Sequence, residues 1–299
     1  METWESKCAI LILNYNGAEL TIESAKRLRG YSKKLQIVIV DNCSTDQSYQ
    51  NIKEIFDRDQ YTYMIGNDTN TGYAAGNNLG LRYIEKQLPE VDTVCIMNPD
   101  IKVDSLEILH RLYTSLWSDE KLAVITAQTI YNGSLRYPND FGWKHLTPIY
   151  MMFGGTLLGK IIKPSIRYTS VKVTDDNIAY ADIVQGCFFM AKMKPFQQVG
   201  FFDERTFLYE EEAILGKKMQ QAGYKEAVLI DAFVHHDHHE KNKRLIKKQS
   251  KLFDMMCFYN SRKHYIECYS EVTKFEKKMM CAFLNLDYGL KKIFYFIRW

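Results

Sequence analysis

The amino-acid sequence predicts an α/β fold: a mainly parallel sheet flanked by helices, with a helical extension at the C-terminus. Through residues 8–126, short apolar segments rich in β-branched residues alternate strictly with segments of helical periodicity. This order is typical of parallel strands joined by crossover helices. After residue 240 the pattern is helical throughout. We therefore expect one α/β domain over residues 1–239 and a basic, aromatic helical tail over residues 240–299.

Each strong strand of the first half is a short apolar run that stops at a polar turn. Residues 91–97 are followed by Asn98-Pro99-Asp100, whose proline has no N–H and ends the ladder. Asp104 and Glu107 then predict the N-cap of a helix. The predicted strands cover residues 8–13, 36–40, 61–65, 91–97, 122–126, 183–190 and 227–234. The predicted helices cover residues 18–30, 46–57, 73–87, 106–116 and 211–222, and residues 127–178 predict a long connection with loops and a short hairpin.

Composition and charge limit the classes of protein to consider. At 299 residues, 46% of them hydrophobic and 25% charged, the chain has the composition of an ordinary globular protein. It has no apolar run of about 18 residues, so no membrane span is predicted. Residues 240–299 carry 14 Lys and Arg against 6 Asp and Glu, whereas the chain as a whole has a net charge of +3. The basic tail predicts an anionic partner surface.

Polar side chains follow three strands of the predicted sheet. They are Asn14, Tyr15 and Asn16 after the first strand, Asp41 after the second, and Asn98 with Asp100 after the fourth. Because the carboxyl ends of parallel strands meet at one edge, we expect these groups to form one site. Asp41 can accept hydrogen bonds from a base or ribose, or it can serve the cap of the next helix.

Two further clusters carry candidate chemistry. Glu210, Glu211 and Glu212 stand at the start of a predicted helix, where acids complement the helix dipole. Like charges so close also raise at least one pKa, which suits a general base. Four of the seven histidines lie at 235–239, after a strand. Imidazole and carboxylate together can hold a divalent cation, with Asp100 as the carboxylate.

These motifs, in this order and spacing, resemble the family 2 glycosyltransferases, inverting enzymes with the Rossmann-like GT-A fold, and within them the rhamnosyltransferase-like members. The resemblance runs from about Cys8 to His239. It rests on five blocks: Ile-Leu-Asn-Tyr-Asn-Gly, Ile-Val-Asp-Asn-Cys-Ser-Thr-Asp, Asn-Thr-Gly-Tyr-Ala-Ala-Gly-Asn-Asn, Met-Asn-Pro-Asp, and Phe-Asp-Glu followed by Phe-Leu-Tyr-Glu-Glu-Glu.

The resemblance implies a nucleotide-sugar donor, dTDP-linked or UDP-linked, and a Mn²⁺ or Mg²⁺ ion. Glu211 or Glu212 would be the catalytic base, and Asp100 with His235 or His236 would hold the metal. The nucleotide-sugar site would include Asn14, Tyr15, Asn16, Asp41, Asn70, Gly72, Asn77 and Asn98.

Two positions depart from the family pattern. Asn98 replaces the first acid of the DxD motif, and Ile214 replaces the last acid of the Glu-Asp-x-Asp stretch. The resemblance predicts transfer of rhamnose or a hexose to a cell-surface polysaccharide or lipid-linked glycan. The alternative is a non-catalytic nucleotide-sugar scaffold or sensor at the membrane.

The expected location is cytoplasmic, with peripheral contact at the inner face of the cell membrane. The tail predicts either this membrane contact or a homodimer interface. No nucleic-acid partner is predicted, because no recognisable nucleic-acid-binding module is present.

Overall fold

The computed structural model describes residues 3–135, 141–236 and 248–297. The strands are β1 Cys8–Asn14, β2 Gln36–Asp41, β3 Thr62–Gly66, β4 Thr93–Met97, β5 Ile101–Lys102, β6 Leu122–Tyr131, β7 Ser134–Leu135, β8 Ile178–Ala181, β9 Phe188–Lys192 and β10 Lys225–His236. The helices are α1 Trp4–Lys7, α2 Ala18–Tyr31, α3 Ser48–Phe56, α4 Gly72–Gln87, α5 Leu106–Trp117, α6 Pro148–Phe153, α7 Gly159–Ile162, α8 Met193–Gln198, α9 Glu211–Gln221, α10 Lys248–Tyr269 and α11 Lys274–Ile297.

One sheet organises the molecule, in the strand order β3-β2-β1-β4-β9-β6-β10-β5, with β7 and β8 pairing at β6 and β10. The first four strands are parallel, as predicted. The rest of the sheet is mixed, because β9 runs antiparallel to both β4 and β6. The long connection from β7 to β9 passes through α6, α7 and β8 instead of one crossover helix, so nothing forces β9 into the parallel direction.

Helices cover both faces of the sheet. Ala25 and Leu28 of α2, Ile52 of α3 and Leu109 of α5 pack on one face. Helices α4, α8 and α9 pack on the other face, where their apolar side chains join those of the central strands. This three-layer arrangement confirms the predicted α/β class.

Two predicted elements are shifted in the structure. The run 183–190 forms a strand only from Phe188, because Ile183 bridges to Trp143 and the Val184 N–H donates to Glu226. The N-cap of α5 is Ser105, not Asp104. The side chain of Asp104 instead contacts His235, 3.0 Å from its Nε2 atom.

The two C-terminal helices pack against each other and onto α9. Tyr259 and Tyr265 of α10 and Leu284 of α11 are buried with Ile183 and Ile214 in a third apolar cluster. The expected boundary at residues 239/240 lies outside the described residues, as does the basic cluster Lys241, Lys243, Arg244 and Lys247. None of the described helices is both long enough and apolar enough to cross a membrane.

Candidate functional site

The ends of β1 and β2 form one hydrogen-bonded unit. Asn14 and Asp41 are register partners, and Asn14 Nδ2 donates to Asp41 Oδ2 over 2.7 Å. The backbone N–H and the hydroxyl of Ser44 donate to the same carboxylate over 2.8 and 2.6 Å. Thr21 donates to Asn14 Oδ1 over 2.8 Å. Both predicted residues are buried, and their hydrogen bonds hold the turn that follows β2 at the edge of the sheet.

Tyr15 and Asn16 lie on the rim of this unit. The Tyr15 side chain is exposed. Asn16 has a left-handed backbone with φ of 53°. Its Oδ1 atom accepts from the backbone N–H of Thr45 over 2.8 Å, and its own N–H donates to the Ser44 hydroxyl. The two turns after β1 and β2 therefore brace each other.

Asn42 is a site residue that the sequence reasoning missed. Its buried amide donates to Asn70 Oδ1 and to the Gly72 carbonyl, each over 3.0 Å. Its Oδ1 atom accepts from Asn67 over 2.9 Å and from Thr71 over 3.3 Å. The adjacent polar runs after β2 and β3 were the available signal, but nothing in them marked Asn42 as the link between the two turns.

Gly72 lies where the edge formed by the ends of β1 and β2 meets the acidic turn, residues 209–212, at the start of α9. Its φ is +82°, and a Cβ atom there would stand 2.2 Å from the Phe207 carbonyl oxygen. The same carbonyl accepts the Tyr73 N–H over 2.8 Å. Only glycine combines this backbone with so close an approach. Further along α4, buried Asn77 donates to the Tyr73 carbonyl, and its Oδ1 atom has no hydrogen-bond partner among the described residues.

Strand pairing brings the Asn98–Asp100 turn to the end of β10. His236 pairs with Ile101 and His235 pairs with Lys102. Because successive residues of a strand point to opposite faces, only one of these histidines meets Asp100. His236 Nε2 lies 3.0 Å from Asp100 Oδ2, whereas His235 contacts Asp104. Of the two histidines that the sequence left open, His236 is the one beside Asp100.

This carboxylate and imidazole fit a divalent cation. Both are ligands that Mn²⁺ accepts. In the described ranges, no group of three or more His, Cys, Asp and Glu side chains is placed to bind a metal. Other coordination positions of a cation held by Asp100 and His236 would be left to water or to a bound molecule. Asp237, His238 and His239 lie outside the described residues.

The acidic turn has an unusual backbone. Tyr209 and Glu210 are both left-handed, with φ of 75° and 67°. Such conformations cost free energy and persist where the surroundings fix them. Here Glu210 accepts from Arg262 Nε of α10 over 2.6 Å, with both side chains buried. Arg262 also donates to the Tyr150 carbonyl over 2.9 Å. A C-terminal helix thus holds the turn that starts α9.

Glu211 and Glu212 differ in whether their side chains can be reached by a bound molecule. Glu211 is buried, and its Oε1 atom has no hydrogen-bond partner within the described parts of the chain. Glu212 lines a cavity of about 220 Å³ whose walls include Trp143, Tyr150 and Phe258. Burial raises the pKa of both carboxyls, and the charge of Glu212 raises that of Glu211 further. Of these two acids, Glu212 is therefore the one that lines the cavity. Glu210 lines it as well, but its carboxylate is bound to Arg262.

Residues 186–187 lie between the cavity that Glu212 lines and the turn that begins at Asn98. A Cβ atom on Gly186 would lie 3.7 Å from Glu212 Oε2, and the Gly186 carbonyl accepts from the Tyr73 hydroxyl over 2.6 Å. The next carbonyl, of Cys187, accepts the Asn98 N–H over 2.9 Å. The structure therefore places the two predicted halves of the site on either side of one short segment.

Comparison with solved structures identifies the fold. A mannosyltransferase from Pyrobaculum calidifontis, solved with GDP-Man and Mn²⁺, matches with a TM-score of 0.56 and 14% identity, covering 93% of this chain and 68% of that one. GalNAc-T7, solved with UDP, GalNAc and Mn²⁺, matches with a TM-score of 0.60 and 14% identity, covering 93% and 54%. Residues 1–349 of S. aureus TarS with UDP-GlcNAc match with a TM-score of 0.53 and 18% identity, covering 93% and 72%. These likenesses confirm the GT-A fold.

Sequence comparison identifies the family. The low-salt glycan biosynthesis hexosyltransferase Agl10 of Haloferax volcanii is 26% identical over 212 residues, which are 71% of this chain. The matched region spans 61% of that curated relative's length. The model of glycosyl transferase family 2 matches residues 9–169, more than half of the chain. The chain therefore belongs to glycosyl transferase family 2.

Proposed function

We propose that the chain is an inverting, metal-dependent hexosyltransferase that uses a nucleotide-sugar donor. One observation carries the proposal: the Asn98–Asp100 turn, whose Asp100 contacts His236, and the cavity that Glu212 lines both meet the same segment, residues 186–187. The name of the Haloferax relative favours a hexose as the transferred sugar. The donor is UDP-linked, or it is dTDP-rhamnose if the chain belongs to the rhamnosyltransferase-like branch.

In this proposal the nucleotide lies along the edge formed by β1, β2 and the Asn70–Gly72 turn. Asn14 and Ser44 fix the Asp41 carboxylate, so that it is oriented before a nucleoside binds. Tyr15 and Asn16 form the exposed rim, and Asn98, with Asn77, completes the nucleotide-sugar site. Asp100 and His236 would hold the cation. When bound, the cation would offset the negative charge that develops on the leaving diphosphate.

Glu212 is the proposed general base. The acceptor hydroxyl gives its proton to the Glu212 carboxylate, and its oxygen forms a bond to the anomeric carbon. The bond from that carbon to the diphosphate oxygen breaks, and the electron pair leaves with the nucleoside diphosphate. Attack opposite the leaving group inverts the anomeric centre. A carboxyl pKa raised by burial makes Glu212 a stronger base than an exposed glutamate.

Donor binding tests the metal half of the site. Calorimetric titration with UDP-glucose, UDP-galactose and dTDP-rhamnose, first with Mn²⁺ and then with EDTA, should show metal-dependent binding of one donor. Asp100→Ala should abolish that binding. Asp104→Ala is the matched control, because it removes the other carboxylate–histidine contact, and it should bind the donor as the parent does. Equal binding by Asp100→Ala and the parent would rule out this metal site.

Turnover tests the base. Glu212→Gln should keep donor binding and lower the release of nucleoside diphosphate by about two orders of magnitude or more. Glu211→Gln, which changes a carboxyl that does not line the cavity, should lower it less. For the parent, release should increase with pH through a range above the ordinary carboxyl pKa, because the base must lose its proton. An unchanged rate in Glu212→Gln would exclude Glu212 as the base.

A non-catalytic nucleotide-sugar sensor is the second candidate. The observation that favours it is Ile214, which replaces the last acid of the family motif and is fully buried beside Tyr259 and Tyr265. Donor binding without any release of nucleoside diphosphate, in the presence of a glycan acceptor, would support this alternative over the enzyme.

The proposed acceptor is a cell-surface polysaccharide or a lipid-linked glycan. The Haloferax relative carries glycan biosynthesis in its name. A lipid-linked acceptor would place the protein at the inner face of the cell membrane as a peripheral protein. The basic C-terminal region supports this location, and a homodimer formed through the same region is the competing proposal.

A further inference from the structure

Helix α11 presents an apolar stripe to solvent. Phe275, Met279, Leu286, Leu290 and Ile293 are exposed by 42 to 77%. Their spacing of three, four and seven residues puts them on one side of the helix. The opposite side already packs into the protein, through Met280 and Leu284. An ordinary surface helix has one apolar side that faces the core, so the second apolar side of α11 indicates another apolar partner.

Helix α7 extends this apolar surface. Ile161 is 79% exposed, and Leu158 and Ile162 are about half exposed. The segment is fastened to α11, because the Leu157 N–H donates to Asp287 Oδ1 over 2.9 Å. Lys291 of α11 donates in turn to the Gly155 carbonyl. We call the stripe on α11 together with Leu158, Ile161 and Ile162 the apolar face.

Basic side chains accompany the apolar face. A groove of about 660 Å³ beside it is lined by Lys160, Lys251 and Lys291 together with Leu157, Met255, Phe294 and Tyr295. Helix α11 carries five lysines against two acids, and one of those acids, Asp287, is buried and bonded to Tyr259 and Lys291. The whole surface therefore combines exposed apolar groups with positive charge.

From this combination we infer that the apolar face and its lysines lie in the interfacial region of an anionic lipid bilayer, with α11 parallel to the membrane plane. Acyl chains would cover the apolar side chains, and lipid phosphates would meet the exposed lysines. A second copy of the chain would bring the same positive charges against this surface. A nucleic acid would leave the apolar stripe uncovered. The bilayer is the partner that matches both properties.

The inference identifies the surface for the membrane location proposed above, and it does not depend on the proposed reaction, because it is tested without turnover. The full chain is sedimented with vesicles of one part phosphatidylglycerol to two parts phosphatidylcholine, and with vesicles of phosphatidylcholine alone. We expect binding to the anionic vesicles that is at least about tenfold stronger than to the neutral ones. The binding should fall at about 0.5 M NaCl, where charges more than about 4 Å apart are screened.

Two variants separate the contribution of the apolar side chains to vesicle binding from the contribution of the lysines. Leu286→Glu combined with Ile293→Glu should weaken vesicle binding at least about tenfold, because charged groups would face the acyl chains. Lys292 is exposed on α11 next to Ile293. Lys160→Gln combined with Lys292→Gln should weaken vesicle binding by about tenfold on anionic vesicles only. Ile55→Glu, at a site on α3 that is 45% exposed, is the matched control and should bind as the parent does.

Three results would overturn the inference. They are no sedimentation with anionic vesicles, equal binding to both kinds of vesicle, and equal loss in the Ile55→Glu control. The apolar face would instead belong to an interface with a second copy if three results came together. The parent chain would be a dimer in solution, the Leu286→Glu, Ile293→Glu variant would be monomeric, and the parent would not bind vesicles. Circular dichroism of each variant verifies that the fold is intact.

Discussion

The buried carboxyl of Glu226 in β10 makes a contribution to folding stability that depends on pH. The side chain is buried; its Oε2 atom accepts the Val184 N–H over 3.0 Å, while Oε1 has no hydrogen-bond partner among the described residues. Burial raises the pKa of Glu226 from 4.5 to about 8. Its carboxyl binds its proton more tightly in the folded chain than in the unfolded one. This contribution to stability is therefore full below pH 4.5 and is lost as pH rises through about 8.

We expect Glu226→Gln to remove this dependence. The amide stays neutral and can still accept the Val184 N–H, so above pH 8 the variant should gain up to about 5 kcal/mol in free energy of unfolding relative to the parent. Near pH 5 the difference should be small. Urea unfolding across this range measures the effect, with exposed Glu90→Gln as the control. Parallel pH profiles for the parent and Glu226→Gln would show that the carboxyl is not protonated in the folded state.

At the residue scale, the sequence predicted which residues lie near each other better than it predicted which way their side chains point. Asn14 and Asp41 lie side by side because both end parallel strands, which the apolar runs indicated. The choice between His235 and His236 needed the register of β10 against β5, and no local pattern contains that register. The hydrogen bonds of Asn42 depend on how two loops meet, which is again a tertiary property.

The contact between α10 and the start of α9 shows how one element controls another. Arg262 binds Glu210 at the left-handed turn that immediately precedes Glu211 and Glu212. Removing one partner of a buried ion pair leaves an uncompensated charge. We therefore expect Arg262→Gln to lower the free energy of unfolding by about 3–5 kcal/mol in urea titrations. It should also lower nucleoside diphosphate release, because the acidic turn would no longer be fixed.

Two variants control for this element. Lys263→Gln, at the next position of α10, should change both quantities little, because its contact to Asn285 is exposed. Glu210→Gln added to Arg262→Gln should recover part of the lost stability, since no charge then remains buried at the turn. If Arg262→Gln behaved like Lys263→Gln, the turn would be held by other contacts.

The order of elements in the first half could be predicted, whereas their arrangement in the second half could not. Parallel pairing of β1, β2, β3 and β4 follows from alternation of strands and helices. The antiparallel entry of β9 between β4 and β6 follows from the path of the long connection. That path has no periodic signal in the sequence, so the mixed half of the sheet appears only in the structure.

At the scale of the whole molecule, helices α10 and α11 contribute buried apolar side chains to the core. Tyr259, Tyr265, Ile266, Met280 and Leu284 are buried against the body of the protein. The positive charge of residues 240–299 could not indicate this burial, because charge marks the solvent side of these helices and not the side that packs. Apolar burial of this kind dominates the free energy of folding.

Truncation after residue 247 tests how far the body depends on α10 and α11. The shortened chain would expose Ile183 and Ile214 and would leave Glu210 without Arg262. Each large apolar side chain returned to water costs about 1.5–3 kcal/mol, so loss of this cluster exceeds the usual stability of a domain. We expect the truncated chain to aggregate or to lose its cooperative thermal transition, while the full chain unfolds in one transition by calorimetry. A truncated chain with an unchanged Tm would instead establish that the helices form an independent unit, and the site would then be complete without them.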